Sequence, residues 1–316
     1  MIDISIIVVT WNCKRYVEEC LTSLSNGLED FATEIIVIDN ASTDGTREMI
    51  QNQFPNVRFI ETGINLGFAR GNNVGMRLAL GRYVCLINPD VNVPSDCVPK
   101  MYEFMERHTD VGLLGPKMLG TRGEARRSGM RFPSVWNAFL RAVALDSLFK
   151  GTGLFGGWLM SDFDFNTTRD IDILNGWFWM ARREALDKVG FLDERFFMYG
   201  EDLDWSKRYH LAGWRVVFFA DASALHYGGA SSANSPVRFY IEMQRANLQY
   251  WEKHHGRLSY PFFWLALSLN HVTRTVGYSL LYVAKRSLRY EALFKMKRSL
   301  ACIRWLMTPE SAENRS

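Results

Sequence analysis

The densest chemistry in this chain lies in residues 174–203, LNGWFWMARREALDKVGFLDERFFMYGEDL, which close on adjacent carboxylates, Glu201 and Asp202, with Asp204 two positions on. Acids at the start of a helix, after a run of bulky aromatics, are poor core material. They suit a group that accepts a proton beside a bound molecule. Asp204 falls about 200° around a helix from Asp202, so the two do not serve one substrate atom. Neighbouring carboxylates push each other's pKa values apart, which lets Glu201 position an incoming group or share the proton load. The bland reading of the same residues is a negative first turn that complements the helix dipole. Upstream, Trp177, Phe178 and Trp179 offer flat apolar faces to a ligand. Strand alternation would point Trp177 and Trp179 one way and Phe178 the other, so one set lines a site and the other packs the core.

A second group of polar residues sits where short apolar strands end. Residues 4–9 (ISIIVV), 34–39 (EIIVID), 57–61 and 83–87 (YVCLI) read as strands, the β-branched runs being typical of strands buried on both faces. Between them, Val17, Cys20, Leu21 and Leu24 recur at helical spacing after a candidate cap, Asn12. Residues 46–53 and 72–80 read as further helices. This alternation predicts a doubly wound, mostly parallel sheet. Ligands on such sheets bind beyond the carboxyl ends of the strands. Found there are Thr10-Trp11-Asn12, Asp39-Asn40 and Asn88-Pro89-Asp90, and three polar strand ends on one sheet converge on one crevice. After residue 94 come a helix near 97–108, a strand at 111–119 and an irregular stretch at 120–170. Order returns with residues 171–174, helices at 183–189 and 201–212, and a strand at 215–219.

No G-x-G-x-x-G follows the first strand and no G-x-x-x-x-G-K-[ST] occurs, which disfavours a dinucleotide cofactor and removes a P-loop. A nucleotide held through an Asp to its base or ribose fits better. The loop from Gly63 to Asn73, with Gly67 and Arg70, suits contact with a nucleotide or its phosphates. Asp90 stands where a divalent cation, Mg²⁺ or Mn²⁺, would bridge a diphosphate. Asn88 and Asn92 beside it are neutral. His226, after the last strand, is a candidate second metal ligand, although a lone His is more often structural.

The motifs Val9-Thr10-Trp11-Asn12, Asp39 to Gly45 (DNASTDG), Asn65 to Ala69 (NLGFA), Asn88-Pro89-Asp90, Gly190 to Asp204 (GFLDERFFMYGEDLD), Ala212-Gly213-Trp214, and His226 followed by Gly-Gly-Ala-Ser come in order over about two thirds of the chain. Together they resemble a family 2 inverting glycosyltransferase of the GT-A fold, in its rhamnosyltransferase-like branch. The resemblance implies a Rossmann-like α/β domain over residues 1–235. Its nucleotide-sugar half would span 1–119 and its acceptor and catalytic half 120–235. Asp39 would bind the base or ribose, with Thr10, Trp11, Asn12, Asn40, Asp44, Gly67, Arg70 and Asn88 on the same side. Asn88-Pro89-Asp90 would stand at the D-x-D metal site, one carboxylate short, with Asp90 and His226 as ligands. Asp202 would be the catalytic base, Glu201 its helper, and Trp177 part of the acceptor pocket. A sugar hydroxyl has a pKa far above 7, so a carboxylate that takes its proton as the new bond forms assists a single displacement with inversion. The donor implied is dTDP-rhamnose, with UDP-galactofuranose, UDP-GlcNAc and UDP-glucose as alternatives. The readings from other classes are a non-catalytic sugar-nucleotide-binding assembly partner and a nucleotidyltransferase.

The net charge of +3 hides an uneven distribution. Between Arg238 and Arg304 twelve Lys/Arg face three Asp/Glu, a local +9, so the remainder carries −6. A basic, aromatic C-terminal extension over residues 236–316 points to an anionic surface, membrane phospholipid first, and not to nucleic acid. The apolar run at 258–273 is shorter than the roughly 20 residues needed to span, and Arg274 separates it from a second run at 276–284. Interfacial helices are therefore expected across 236–304, or a helical hairpin packed on the catalytic domain or a second subunit. Five cysteines without metal spacing read as reduced thiols, and the N-terminus reads without a secretory leader. A cytoplasmic enzyme at the inner face of the inner membrane, acting on a lipid-linked glycan, is the expectation.

Overall fold

The computed structural model describes residues 2–145, 149, 158–229, 235–256 and 258–308. The chain divides into two compact units, residues 1–130 with 164–234 and residues 131–163 with 235–316. The first runs β1 (Ile4–Thr10), α1 (Lys14–Leu24), β2 (Thr33–Asp39), α2 (Thr46–Gln53), β3 (Arg58–Glu61), α3 (Gly67–Leu78) and β4 (Tyr83–Ile87). It continues through β5 (Val91–Asn92), α4 (Cys97–Arg107), β6 (Val111–Leu119), β7 (Ala125–Arg126) and β8 (Gly129–Met130). Helix α5 (Val135–Ala142) belongs to the second unit. The chain then returns as β9 (Arg169–Asp170), β10 (Ile173–Leu174), β11 (Phe178–Arg182), α6 (Arg183–Val189), α7 (Glu201–Leu211) and β12 (Arg215–His226). Helices α8 (Pro236–His255), α9 (Tyr260–Ala284) and α10 (Arg289–Leu306) complete the second unit.

Among the described residues, ten strands form one sheet whose main path is β3-β2-β1-β4-β11-β6-β12-β5. The four leading strands are mutually parallel, while β11 lies antiparallel between β4 and β6. β1 and β4 are buried almost throughout, as their β-branched sequences require, and each fully buried Ile or Val adds about 1.5–3 kcal/mol. Helix α3 begins five residues before the helix expected from Asn72. Its glycines, weak helix formers, hid the start. Their role is close approach: a Cβ on Gly75 would lie 2.5 Å from an Ile7 side-chain carbon, and one on Gly71 2.9 Å from a Val9 carbon. Strand β12 runs on to His226 instead of ending near Phe219, passing a register break between Phe219 and Ser223. That break carries a polar, Ala-rich stretch (ADAS) with little strand propensity. Arg182, a buried cation, satisfies its guanidinium on the carbonyls of Val111, Met105 and His108 and on the Tyr83 hydroxyl, tying β11 to β6 and α4.

The second unit has its own apolar core, in which Ala138 and Ala142 of α5 pack with Leu248, Trp251, Phe263 and Trp305. This burial places α5 with the C-terminal helices, whereas the sequence expectation put it in the half over 120–235. The two apolar runs separated by Arg274 form one helix, α9, because Arg274 bonds Asn270 and Tyr278 along that helix without breaking it. Among the described residues no helix is long and apolar enough to cross a membrane. All five cysteines are free and buried, and burial raises their thiol pKa values.

Candidate active site

Register places the strand ends level. Thr10 pairs with Asp39, Val8 with Ile87, and Phe178 of the antiparallel β11 with Ile87. The segment before β11 is thereby delivered to the carboxyl end of β4, where the Asn88 N–H donates to the Trp177 carbonyl at 2.9 Å. Antiparallel pairing of β12 with β5 sets His226 opposite Val91, and the Tyr227 N–H donates to the Asp90 carbonyl at 3.0 Å.

The loops after β1 and β2 are stitched together. The Asn12 N–H donates to Ser42 Oγ at 2.9 Å, and Asn12 Oδ1 accepts the Thr43 N–H at 2.7 Å. Asn12 sits at φ 49° and does not cap α1. Asp44 does so from the neighbouring loop: its Oδ2 accepts the Lys14 N–H at 2.8 Å, while its Oδ1 takes the Thr46 amide and hydroxyl at the start of α2. Partial burial would raise the Asp44 carboxyl, but the bonds from Thr46 and Lys14 outweigh it and hold the group below its ordinary value. Buried Asp39 accepts the Ser42 amide and hydroxyl, and its pKa is raised because desolvation exceeds those bonds. Thr10 is buried with its hydroxyl against Cys13 Sγ, and Trp11 is half-buried beside it.

The expected Gly/Asn loop is largely the first turns of α3. Asn40 Nδ2 donates to the Gly67 carbonyl, and the Phe68 N–H donates to the Phe197 carbonyl at 2.7 Å. Gly67, at φ 79°, has the Phe197 carbonyl and ring where a Cβ would stand. It therefore seats the loop of residues 193–200 and does not present an open phosphate cradle. Arg70 lies exposed on α3 with its Nε 3.6 Å from the Glu194 carboxylate. Asn73 and Arg77 hold that same loop, Asn73 through Leu192 and Glu194, and Arg77 through Glu194.

The loop ends at Gly200, in the left-handed region, and α7 begins with Glu201. Glu201 is 5% exposed, and its Oε2 has no hydrogen-bond partner. A Cβ on Gly176 would meet Glu201 Oε1 at 3.4 Å and the Trp179 indole at 3.0 Å. Desolvation, then the charge of Asp202, pushes the Glu201 carboxyl well above its usual range. Desolvation also lifts Asp202, to about 6, against the pull of the backbone amides of Leu203, Asp202, Gly200 and Gly176. Asp202 is thus a carboxylate at neutral pH with appreciable proton affinity. Asp204, fully buried, pairs with Arg208 at 2.8 Å. Arg208 in turn donates to the carbonyls of Val189, Gly190 and Phe191. That pair braces the loop behind the helix, in keeping with the expectation that Asp204 and Asp202 do not serve one substrate atom.

Glu201 makes a proton-linked prediction. A carboxyl whose folded pKa is raised contributes stability that is full below its unfolded pKa and is lost as pH rises through the folded value. Glu201→Gln, uncharged at every pH, is therefore expected to melt higher than the parent at pH 9, with the advantage shrinking towards pH 5. Paired thermal melts across that range check it, and a constant difference would refute the raised carboxyl.

Trp177 does not share a face with Trp179. It precedes β11 and packs in the same core as Phe178, while Trp179 meets Trp205 at a tilt of 55° and donates its Nε1 to the Leu174 carbonyl. Trp177 is 3% exposed, and its ring lies nearly parallel to that of His226 with centroids 5.5 Å apart. It offers no open face to a sugar and instead backs the metal-candidate histidine. His226 Nε2 lies 3.1 Å from Asp90 Oδ1. One carboxylate and one imidazole fit a cation that takes its other ligands from diphosphate and water. Among the described residues no cluster of three His, Cys, Asp or Glu stands ready to hold a metal. Ala230 and Ser231 of the last motif lie outside the described residues.

Gly176 and Phe197 were not singled out from sequence. The signal for Gly176 is a glycine between Asn175 and Trp177 just before a strand, where backbone must approach closely. Through it the segment 175–177 touches Asn88 at one end and the Glu201–Asp202 pair at the other.

Residues 5–190, more than half of the chain, match the family described as Glycosyl transferase family 2. The chain belongs to that family. This glycosyltransferase is 28% identical over 273 residues to N-acetylglucosaminyl-diphospho-decaprenol L-rhamnosyltransferase of Mycobacterium tuberculosis, covering 82% of this chain and 87% of the relative. It is 22% identical over 210 residues to the low-salt glycan biosynthesis hexosyltransferase Agl10 of Haloferax volcanii, covering 65% and 61%. Among solved structures it resembles the mannosyltransferase PcManGT of Pyrobaculum calidifontis in complex with GDP-Man and Mn²⁺ (TM-score 0.55, 17% identity, 98% and 90% of the two chains). It also resembles Staphylococcus aureus TarS 1–349 in complex with UDP (TM-score 0.51, 17% identity, 98% and 92% of the two chains). The fold is GT-A, as the motif order implied.

Proposed function

We propose that this glycosyltransferase moves a hexose, rhamnose from dTDP-rhamnose first among the candidates, onto a lipid-linked or polysaccharide acceptor in cell-surface glycan synthesis, by single displacement with inversion. The observation that carries the reading is the segment 175–177, which joins Asn88, next to Asp90, to the Glu201–Asp202 pair. A donor site at the strand ends and a proton acceptor at α7 are thereby built on one piece of backbone. The rhamnosyltransferase relative, matched over most of both chains, supports the donor and the lipid-linked acceptor.

Asp202 takes the proton of the acceptor hydroxyl as that oxygen bonds to the anomeric carbon. Glu201, its carboxyl raised by desolvation and by the charge of Asp202, positions the acceptor beside the base. Asp39 and the stitched 40–44 loop hold the nucleoside. Asp90 and His226 would hold a divalent cation, which when bound neutralises charge gathering on the departing diphosphate.

Purified enzyme is incubated with dTDP-rhamnose, UDP-galactofuranose, UDP-GlcNAc and UDP-glucose, with and without Mg²⁺ or Mn²⁺. Release of nucleoside diphosphate from dTDP-rhamnose alone is expected, falling at least tenfold on chelation and in Asp90→Ala. Turnover of a different donor would overturn the rhamnose assignment, and full activity in chelator would remove the cation.

The exposed surface of the second unit supports contact with a lipid bilayer, which this reading puts at the cytoplasmic face of the inner membrane. Helix α9 exposes Phe262, Leu265, Val272, Val276, Leu280 and Val283, between 47% and 74% each, along one stripe at helical spacing. Lys285, Arg286 and Arg289 follow directly. Apolar side chains rimmed by cations suit an anionic lipid surface. Val276→Asp with Leu280→Asp is expected to shift the enzyme from the membrane to the soluble fraction in flotation with anionic vesicles. Undiminished flotation would sink the idea.

A further inference from the structure

Within the second unit, buried donors lack acceptors. His271 of α9 is fully buried, and neither its Nδ1 nor its Nε2 has a hydrogen-bond partner. Ser268 Oγ, one turn earlier, is buried and unmet as well. The Tyr240 ring of α8 meets the His271 ring edge-on at 5.9 Å, and the Arg298 guanidinium of α10 lies over Tyr240 at 3.9 Å. Arg298 Nε is buried without an acceptor. Arg274 spends its Nε on Asn270 and an Nη on Tyr278, both neutral. Three helices thus bring polar groups together around His271.

Among the described residues no carboxylate forms an ion pair with Arg274 or Arg298. Helix α9 contains no Asp or Glu. Glu242 of α8 pairs with Arg245, and Glu291 of α10 pairs with Lys295. Burial, then the positive charges of Arg274, Arg298 and Arg141, holds His271 down to about 4, so the ring is neutral. Buried polar groups in folded proteins are nearly always satisfied. Unmet buried polar groups beside two guanidinium groups that pair with no carboxylate among the described residues call for a ligand that accepts several hydrogen bonds and carries negative charge. A phosphoryl group has that chemistry, and arginine is the side chain best matched to it.

We propose that Ser268, His271, Arg274 and Arg298 form a phosphoryl-binding site that takes the diphosphate of a lipid-linked acceptor. The assignment to a lipid diphosphate rests on the acceptor reading above; the phosphoryl site does not. The opposite side of α9 carries the exposed apolar stripe, so the helix that would meet the lipid phase also presents the site.

The test uses the full chain with isotope-labelled histidine, the His271 ring signal being assigned by its loss in His271→Asn. Inorganic pyrophosphate, a detergent-solubilised short-chain isoprenyl diphosphate and the matching isoprenyl alcohol are titrated separately. Saturable movement of the His271 signal is expected with both phosphates and not with the alcohol, the isoprenyl diphosphate binding tighter. Arg298→Gln and Arg274→Gln should each weaken binding by about tenfold or more, since a charge-assisted bond is lost. Arg298→Lys, which keeps the charge and loses the planar fork, should fall between. Absence of a saturable shift with either phosphate, or unchanged affinity in the two Gln variants, would overturn the site. Pyrophosphate binding with no gain for the isoprenyl form would overturn its lipid assignment. An isoprenyl diphosphate that binds here, while an isoprenyl-diphosphate sugar accepts nothing from any donor, would leave the site and sink the acceptor reading.

Discussion

Asp202→Asn is expected to lower kcat by about 10²–10⁴-fold, the usual contribution of a positioned general base, while leaving nucleotide-sugar binding within a few-fold of the parent. The exchange is isosteric and removes a desolvated charge, so the variant should fold at least as well. The parent's own pH profile provides the second readout. Desolvation raises Asp202 to about 6, so the base is increasingly protonated as pH falls through that value. The rate should be level above about pH 7 and roughly tenfold down at pH 5, and the residual rate of the variant should not show that limb. Stopped assays of nucleoside diphosphate release, with donor affinity measured calorimetrically, decide it. Parental activity in Asp202→Asn, or an acid limb that persists in it, would remove the residue from the chemistry.

Gly67→Val is expected to be nearly as damaging, although Gly67 touches no reacting atom. Its φ of 79° disfavours any side chain, and a Cβ there would stand 2.3 Å from the Phe197 carbonyl oxygen and 2.7 Å from its ring. The left-handed conformation and the overpacking together cost about 2–5 kcal/mol. Relief requires the loop of residues 193–200 to lift, and that loop ends at Gly200, which starts the helix carrying Glu201 and Asp202. Loss of at least 10²-fold in kcat is expected, because a displacement of about 1 Å in a reacting group has that effect. A melting temperature lower by roughly 5–15 °C should accompany it. A variant with parental Tm and kcat would show that the loop is not seated on α3.

The elements of the nucleotide half were legible because their signals are local. Runs such as ISIIVV and YVCLI can only be buried strands, and Thr46–Gln53 and Arg183–Val189 begin and end where turn chemistry places them. Helix α3 was misplaced for a physical reason: its glycines lower helix propensity but are required by contact with β1, and that contact is tertiary. Asn12 looked like the cap of α1 by position, yet Asp44, thirty residues away in sequence, supplies it. Trp177 looked like a sugar platform by type, yet it lies outside β11, where alternation no longer applies, and packs against His226.

The sequence by itself determined the strand–helix order, the polar strand ends and the acidic start of α7, because each follows from hydrophobic periodicity and residue type over a few positions. It could not determine which of these meet. Antiparallel insertion of β11 beside β4 brings residues 175–177 to Asn88 and to Glu201, and the pairing of β12 with β5 brings His226 to Asp90. The resemblance named Asp202 as base and Glu201 as helper, but the desolvation that raises both carboxyls, Asp202 to about 6, comes from packing and is not written in the sequence. Strand pairing and burial are properties of the folded chain, and here they bring separate polar residues together in a candidate site.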